Sequence, residues 1–300
     1  MAVSTASIFI RYAQADGAPS LVIAAYRLSL AALALLPPVL WRHRAELRRL
    51  TGRQWLLTGL SGVFLGLHFG TWISSLEYTT VANSVVFVST APLFVALLAA
   101  ALLREKLTRW VLAGLALALA GSVIVGISDA CAGADGCPPL SDFVRGAGFF
   151  GDLLALAGAV SVAVYLIIGR TVRGGLSLLV YILLTYGSAA LTLVAGVFLL
   201  RGSFAGYTPE DFVRSLAGGG LGWGACVVLL ALAPQLIGHS SYNWALRYLP
   251  ATFVSVTVLG EPIGSTVLAY LLLGETPTLL KLLGAALILG GILLAARRDS

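Results

Sequence analysis

SLEYTTVANSVVFVSTAPLFVALLAAALLREKLT, residues Ser75 to Thr108, has a counterpart in ALRYLPATFVSVTVLGEPIGSTVLAYLLLGETPT, residues Ala245 to Thr278, at an offset of 170 (245 less 75). Superimposed without a gap, the two stretches bring Pro92 onto Pro262, Glu105 onto Glu275 and Thr108 onto Thr278. The same offset carries Gly114 onto Gly284 and Gly121 onto Gly291. Further upstream, with indels, Arg11 meets Arg170 and Tyr26 meets Tyr186. Chance supplies one such match but not the set, so the chain is built from two copies of one unit.

Only 11% of the 300 residues are charged, against roughly 25% in a soluble domain. Stretches free of Asp, Glu, Lys and Arg run from Gln54 to Leu76, Tyr78 to Leu103, Trp110 to Ser128, Leu153 to Gly169, Gly174 to Leu200 and Ser215 to Leu246. Most approach or exceed the ~20 apolar residues that cross a bilayer as a helix. An outer-membrane barrel would alternate apolar and polar residues over ~10-residue strands, whereas these blocks are apolar throughout. The sequence therefore predicts an all-α membrane protein, with helices over 1–13, 20–41, 54–76, 80–103, 109–127, 148–169, 177–200, 219–246, 250–273 and 278–296.

Ten spans place the loops alternately on two sides. Arg11 and Arg27 fall within spans; of the remaining basic residues thirteen collect on one side, among them Arg42, Arg44, Arg48, Arg49, Arg53, Arg170, Arg173 and Arg247. The other side holds Arg145, Arg201, Arg214 and Lys281. By the positive-inside rule the arginine-rich side is cytoplasmic, as are both termini, and the expected location is the cell inner membrane. This distribution also accounts for the net charge of +6 without nucleic acid, since no continuous basic face is formed.

Each copy holds five spans, an odd number, so the second enters the membrane from the opposite side. The domains expected are a first repeat over 1–127, an extracytoplasmic loop over 128–146 and a second repeat over 147–298. Met1 matches Val160, which has about a dozen more helical residues before it in the second copy; the first helix is therefore expected to be clipped at the start of this chain. Inverted repeats of this kind let transporters alternate access around a midplane site, and helices interrupted at corresponding positions point to that site. Pro92 and Pro262 are such a pair. Within a continuous helix each would remove one backbone hydrogen bond and leave a carbonyl for a side chain, water or substrate.

The two quoted stretches, each followed by a Gly-rich closing helix, resemble the halves of an EamA-type transporter of the drug/metabolite transporter superfamily. The resemblance covers nearly the whole chain. It implies a ten-helix inner-membrane carrier of small metabolites, often an exporter of amino acids. It also implies a cavity lined by helices 1, 3, 4, 6, 8 and 9, with helices 5 and 10 as scaffold.

Candidate site residues follow from polar groups inside the spans. Glu261 carries the one charge between Tyr248 and Gly274. A carboxylate near the bilayer centre costs at least ~2.5 kcal/mol, so it faces a cavity or a partner. Thr257 and Ser265 lie one turn to either side of it. Burial penalises the charged form, which suits Glu261 to exchanging a proton and coupling transport to the proton gradient; the alternative is a glutamate that braces the break at Pro262. His68, Trp72 and Ser75 are spaced i, i+4, i+7, and so are Gln235, His239 and Tyr242. Each trio forms one polar-aromatic stripe, fit to line a cavity or to bond helices together. Asn83, Phe87 and Thr90 repeat the spacing before Pro92, and Tyr165 lies deep in the sixth span. Such an aromatic, hydroxyl-rich lining suits a zwitterionic or apolar solute better than a polyanion.

Arg27, seven residues into the second span, lies roughly 10 Å below the surface at 1.5 Å per residue. It either binds a substrate carboxylate or pairs and braces structurally. The second reading is preferred, because the resemblance does not place helix 2 at the cavity. Glu105 and Glu275 precede Thr108 and Thr278, which read as helix starts, with the glutamates as scaffold. Glycine runs in the fifth and tenth spans read as packing or homodimer surfaces. Cys131 and Cys137 share a polar loop, where a small disulfide and two free thiols are equally open.

No metal-ligand cluster, cofactor motif or phosphate-binding Gly-Lys loop occurs, so the chain carries no ATPase and a gradient must supply energy. The expected partners are membrane lipid, a small-molecule substrate and protons. The reading is a secondary transporter and not an enzyme. A channel and a membrane-embedded enzyme are the competing classes.

Overall fold

The computed structural model describes residues 2–79, 84, 87–130, 147–200, 203–273 and 277–295. Every regular element among them is helical. In chain order these are α1 (Ala6–Ala15), α2 (Ser20–Arg42), α3 (Arg44–Arg48), α4 (Gly52–Ser75), α5 (Ala91–Leu98), α6 (Arg109–Ala130), α7 (Ala147–Arg173), α8 (Leu178–Leu199), α9 (Pro209–Ala217), α10 (Trp223–Ala245), α11 (Ala251–Val258), α12 (Glu261–Leu273) and α13 (Leu279–Ala295). Helix occupies part of each of the ten expected spans. Five of these helices, α2, α4, α7 (from Gly148), α8 and α10, are long and apolar enough to cross a membrane.

Two compact units are present, one of residues 1–70 and 168–247, the other of 71–167 and 248–300. Each draws on both halves of the sequence. In the first, α2 packs along α8 and α1 against the start of α10. Carboxylates at helix ends tie these pairs together, because a helix start leaves backbone N–H groups in need of acceptors. Asp16 Oδ2, after α1, accepts the Trp223 N–H at the start of α10 at 2.9 Å. Glu46 Oε1, on α3, accepts the Ser177 N–H ahead of α8 at 2.7 Å.

Glu46 gives this link a pH dependence. Its partial burial favours the neutral acid, but the hydrogen bonds from Ser177 and His43 outweigh this and hold its pKa below the usual 4.5. A carboxyl lowered in the folded state stabilises above its unfolded pKa and loses that contribution as pH falls through the folded value. Thermal unfolding in detergent is therefore expected to separate wild type from Glu46→Gln near neutral pH. The gap should close progressively below pH 4.5, and a gap that stayed constant with pH would contradict this account.

In the second unit α6 and α13 run antiparallel. Gly114 faces the Gly291 carbonyl and Gly121 faces the Gly284 carbonyl, so closely that a Cβ built on any of the four would lie 2.5–2.7 Å from the opposing carbonyl oxygen. Small residues permit this approach of two backbones. Ala96, Leu115, Val256 and Ala295 close one apolar cluster, and Ala118, Val125, Leu259 and Ile288 another. The helix-start reading of the two threonines holds. Thr108 Oγ1 accepts Val111 N–H at 3.3 Å, and Thr278 Oγ1 accepts Lys281 N–H at 3.2 Å. Glu105 is structural as well: beyond a π-helical turn over Ala99–Leu103, Arg104 takes a left-handed φ of 55°. That turn presents the Glu105 carboxylate to Ala251 N–H at 3.1 Å and Thr252 Oγ1 at 3.4 Å, capping α11.

One expectation is corrected here. The prolines do not sit inside continuous helices with a bond missing. Turns at 89–90 and 259–260 interrupt the chain, and Pro92 and Pro262 are the second residues of the new helices α5 and α12. A first-turn N–H has no intrahelical partner to lose, so proline costs little there.

Candidate functional site

In the first unit, Arg27 of α2 is fully buried. Its Nε donates to Gln235 Oε1 at 2.9 Å, and its guanidinium lies 4.2 Å from the centre of the Phe69 ring. A buried arginine costs ~2.5 kcal/mol or more in a bilayer, which this hydrogen bond and a cation–π contact of roughly 2 kcal/mol in a desolvated setting help to offset. Gln235 and His239 come from a π-helical stretch of α10, Ala231–His239. Pro234 lies inside that stretch; its ring would clash with the carbonyl four residues back in a regular helix. Widening to π geometry relieves the clash and rotates the following side chains, and such bulges recur at functional sites.

The rest of the cluster is aromatic. His239 meets Phe69 edge-on at 5.2 Å and Tyr242 at 5.9 Å, while His68 lies 4.9 Å from Phe69. Tyr186 Oη is 3.1 Å from Ser240 Oγ and donates to the Gln235 carbonyl at 3.4 Å. Thus Arg27, His68 and the stripe of Gln235, His239 and Tyr242, picked out on three different spans, come together: Arg27, His68 and His239 against Phe69, Gln235 on Arg27 and Tyr242 on His239. Phe69 itself was missed; its position next to His68 on α4 was the available signal.

The second unit holds the other candidates. Trp72 is half-buried, and Ser75 Oγ donates to the Trp72 carbonyl at 2.6 Å and bonds Ser84 at 2.7 Å. Tyr165 is buried within α7. Phe87 and Thr90 are half-buried, and the Thr90 hydroxyl donates to the Phe87 carbonyl at 2.6 Å. The Thr257 hydroxyl likewise donates to Val254 O at 2.6 Å. Glu261, half-buried, is the first residue of α12, where the exposed N–H groups of the helix start favour a carboxylate. Because residues 259–260 interrupt the helix, the expected shared face of Thr257 and Glu261 does not follow from their spacing. Asn83, Cys131, Cys137, Glu275 and the Ser265 side chain lie outside the described residues.

Two polar residues carry more than the sequence suggested. Asp152, near the start of α7, is buried; its Oδ1 accepts the Thr79 hydroxyl at 2.7 Å, while Oδ2 is buried with no hydrogen-bond partner among the described residues. Arg173, counted with the interfacial arginines, is also buried and donates to the carbonyls of Asn243 at 2.8 Å and Leu176 at 2.5 Å.

Known proteins put this architecture in context. A solved crystal structure superposes with a TM-score of 0.75 at 21% identity, covering 98% of this chain and 92% of its own, and so shares the fold. An uncharacterized transporter of Archaeoglobus fulgidus is 27% identical over 286 residues, covering 92% of this chain and 88% of its own length. The uncharacterized transporter YetK of Bacillus subtilis is 25% identical over 79% of this chain and 66% of its own. A probable terminal-alkyne amino-acid exporter of Streptantibioticus cattleyicolor is 27% identical over 80% of this chain and 71% of its own. The sequence profile of the EamA-like transporter family matches residues 1–127 and 149–297. With apolar helices of membrane-spanning length and a family match over nearly all its residues, this chain is a multi-pass membrane protein that belongs to the EamA-like transporter family.

Proposed function

We propose that the protein is a secondary carrier that exports small metabolites, amino acids or related solutes, across the inner membrane by alternating access. Two inverted repeats over 1–127 and 147–298 move against each other, both termini lie in the cytoplasm, and Glu261 exchanges the coupling proton. The observation that carries this reading is the matched interruption of two helices: turns at 89–90 and 259–260 differ by the repeat offset of 170, and each is followed by a half-helix with proline second. Paired broken helices of this kind form the midplane site in carriers built from inverted repeats.

The glycine contacts support the same symmetry. Under the offset Gly114 becomes Gly284 and Gly121 becomes Gly291, so the contact of 114 with 291 exchanges into that of 121 with 284. An antiparallel pair with this reciprocity is what two copies of opposite orientation would produce. Gly114, Gly121, Gly284 and Gly291 act as packing surfaces in that contact. The amino-acid substrate class draws support from the Streptantibioticus relative, named as an exporter of one such compound.

Counterflow tests the proposal. Proteoliposomes preloaded with a millimolar amino-acid mixture and diluted into trace labelled amino acid are expected to accumulate label transiently above equilibrium. A channel gives only downhill equilibration, so label that never overshoots would replace the carrier reading with a channel. Chemical conversion of the label inside the vesicles would replace it with an enzyme.

A further inference from the structure

We infer that Arg27, Gln235 and His239 form a subsite for the carboxylate of the transported solute. The inference deepens the carrier reading and rests on it. It reverses the preference for a purely structural Arg27, and it begins from two atoms. Gln235 Nε2 and His239 Nδ1 are both buried with no hydrogen-bond partner among the described residues, in side chains that are 0% and 8% exposed. A buried polar atom left unsatisfied costs about 1–3 kcal/mol, so such atoms mark a place where a polar group of something else belongs.

Their setting specifies that group. Gln235 turns its amide oxygen to Arg27 Nε at 2.9 Å, which directs its NH2 away from that bond as a donor. Arg27 is donor-only and cationic, and Gln235 Oε1 and the Phe69 π face are among its partners. His239 shares Phe69 with Arg27, one ring against each. The Gln235 NH2, with His239 Nδ1 beside it as a second donor in the Nδ1–H tautomer, therefore lies next to a positive charge, and the complementary group is an anion with several acceptor lone pairs. A carboxylate meets this description, because guanidinium and carboxylate match in geometry.

The surroundings limit what the carboxylate is attached to. Phe69, His68, His239 and Tyr242 supply rings, which favour a solute with an apolar or aromatic body over a second charged end. The π-helical stretch that Pro234 calls for places both side chains: α10 departs from regular geometry over the nine residues that carry Pro234, Gln235 and His239. π-helical distortions inside α-helices recur at functional sites.

The test compares phenylalanine, phenylacetate and phenylalaninamide, three probes of similar shape that differ in charge. Each is added to purified full-length wild type and to Gln235→Glu, with thermal stability and equilibrium binding measured. Wild type should bind both acids and be stabilised by them, with the amide at least about tenfold weaker, equivalent to ~1.4 kcal/mol. Gln235→Glu is nearly isosteric and sets a resident carboxylate beside the guanidinium. It should fold with a melting temperature no lower than wild type, yet bind the acids at least about tenfold more weakly. An arginine that serves only as structural glue predicts wild-type binding in that variant. His239→Phe keeps the ring against Phe69 while removing Nδ1, and should also weaken the acids, which keeps the test available should Gln235→Glu not fold.

Equal binding of acid and amide by wild type, no binding of either acid, or wild-type affinity in a folded variant would each overturn the subsite. Counterflow of the same probes separates this failure from failure of the carrier reading. Exchange of the amide but not the acids leaves a carrier without the carboxylate subsite. Acid binding that is lost in Gln235→Glu, without counterflow of any amino acid, leaves the subsite in a protein that is not a carrier.

Discussion

Gly284→Leu is expected to abolish the stable fold, and Gly284→Ala to lower its melting temperature clearly, whereas Gly187→Ala should be neutral or stabilising. Both positions lie in apolar helices, so composition alone does not separate them. At Gly284 a Cβ falls 2.7 Å from the Gly121 carbonyl oxygen and 2.7 Å from Val125 Cγ2. Neither can retreat, because the carbonyl belongs to the backbone of α6 and Val125 is packed with Ala118, Leu259 and Ile288. Overpacking of this kind costs about 1–3 kcal/mol per added group and more when backbone must move; a leucine adds three carbons beyond the alanine. At Gly187 nothing lies within 4 Å of a built Cβ, and alanine in a helix gains roughly 0.5–1 kcal/mol over glycine. The measurement is the melting temperature of purified protein in one detergent. Equal values for Gly284→Leu and Gly187→Ala would mean that α6 and α13 do not touch through their glycines.

This contrast also marks how far the sequence could be read. The repeat offset, visible from Pro92, Pro262, Thr108 and Thr278, located the interrupted helices and the helix starts, because turn and cap residues act on their own neighbourhood. Glycine content identified the fifth and tenth spans as packing surfaces, but an open Gly187 and a crowded Gly284 look alike until the partner helix is known. The Arg27–Gln235 hydrogen bond was hidden for the same reason: it joins residues 208 positions apart, and periodicity gives the face of a helix, not what lies opposite. Family analogy worked against it by assigning helix 2 away from the cavity. Arg173 was misread through depth, and Asp152 was not singled out at all. Ionisable residues at the edges of apolar blocks ordinarily reach for the interface, whereas these two are folded inward onto Thr79 and onto the carbonyl of Asn243.

Glu261→Gln is expected to uncouple the carrier from the proton gradient while leaving solute exchange in place. Proton-driven transport requires a group that loses and regains a proton as the site alternates, and a glutamine of the same size cannot do so. Accumulation driven by an imposed pH gradient should fall by about tenfold or more, while counterflow at equal pH stays within about threefold of wild type. The competing role, bracing the α12 start, predicts another pattern. Glutamine retains an acceptor oxygen for helix-start N–H groups, so a bracing Glu261 would leave both measurements near wild type with at most a small loss of melting temperature. Asp152→Asn supplies the comparison, because Asp152 is a carboxylate buried near the start of an apolar helix. Asparagine can still accept the Thr79 hydroxyl now bonded to Oδ1, and it removes a charge that is costly to bury. If Asp152→Asn abolishes gradient-driven accumulation and Glu261→Gln does not, the coupling proton belongs to α7 and the carboxylate at the helix break is a brace. The opposite result assigns the proton to Glu261 and gives the paired helix breaks a direct part in energy coupling.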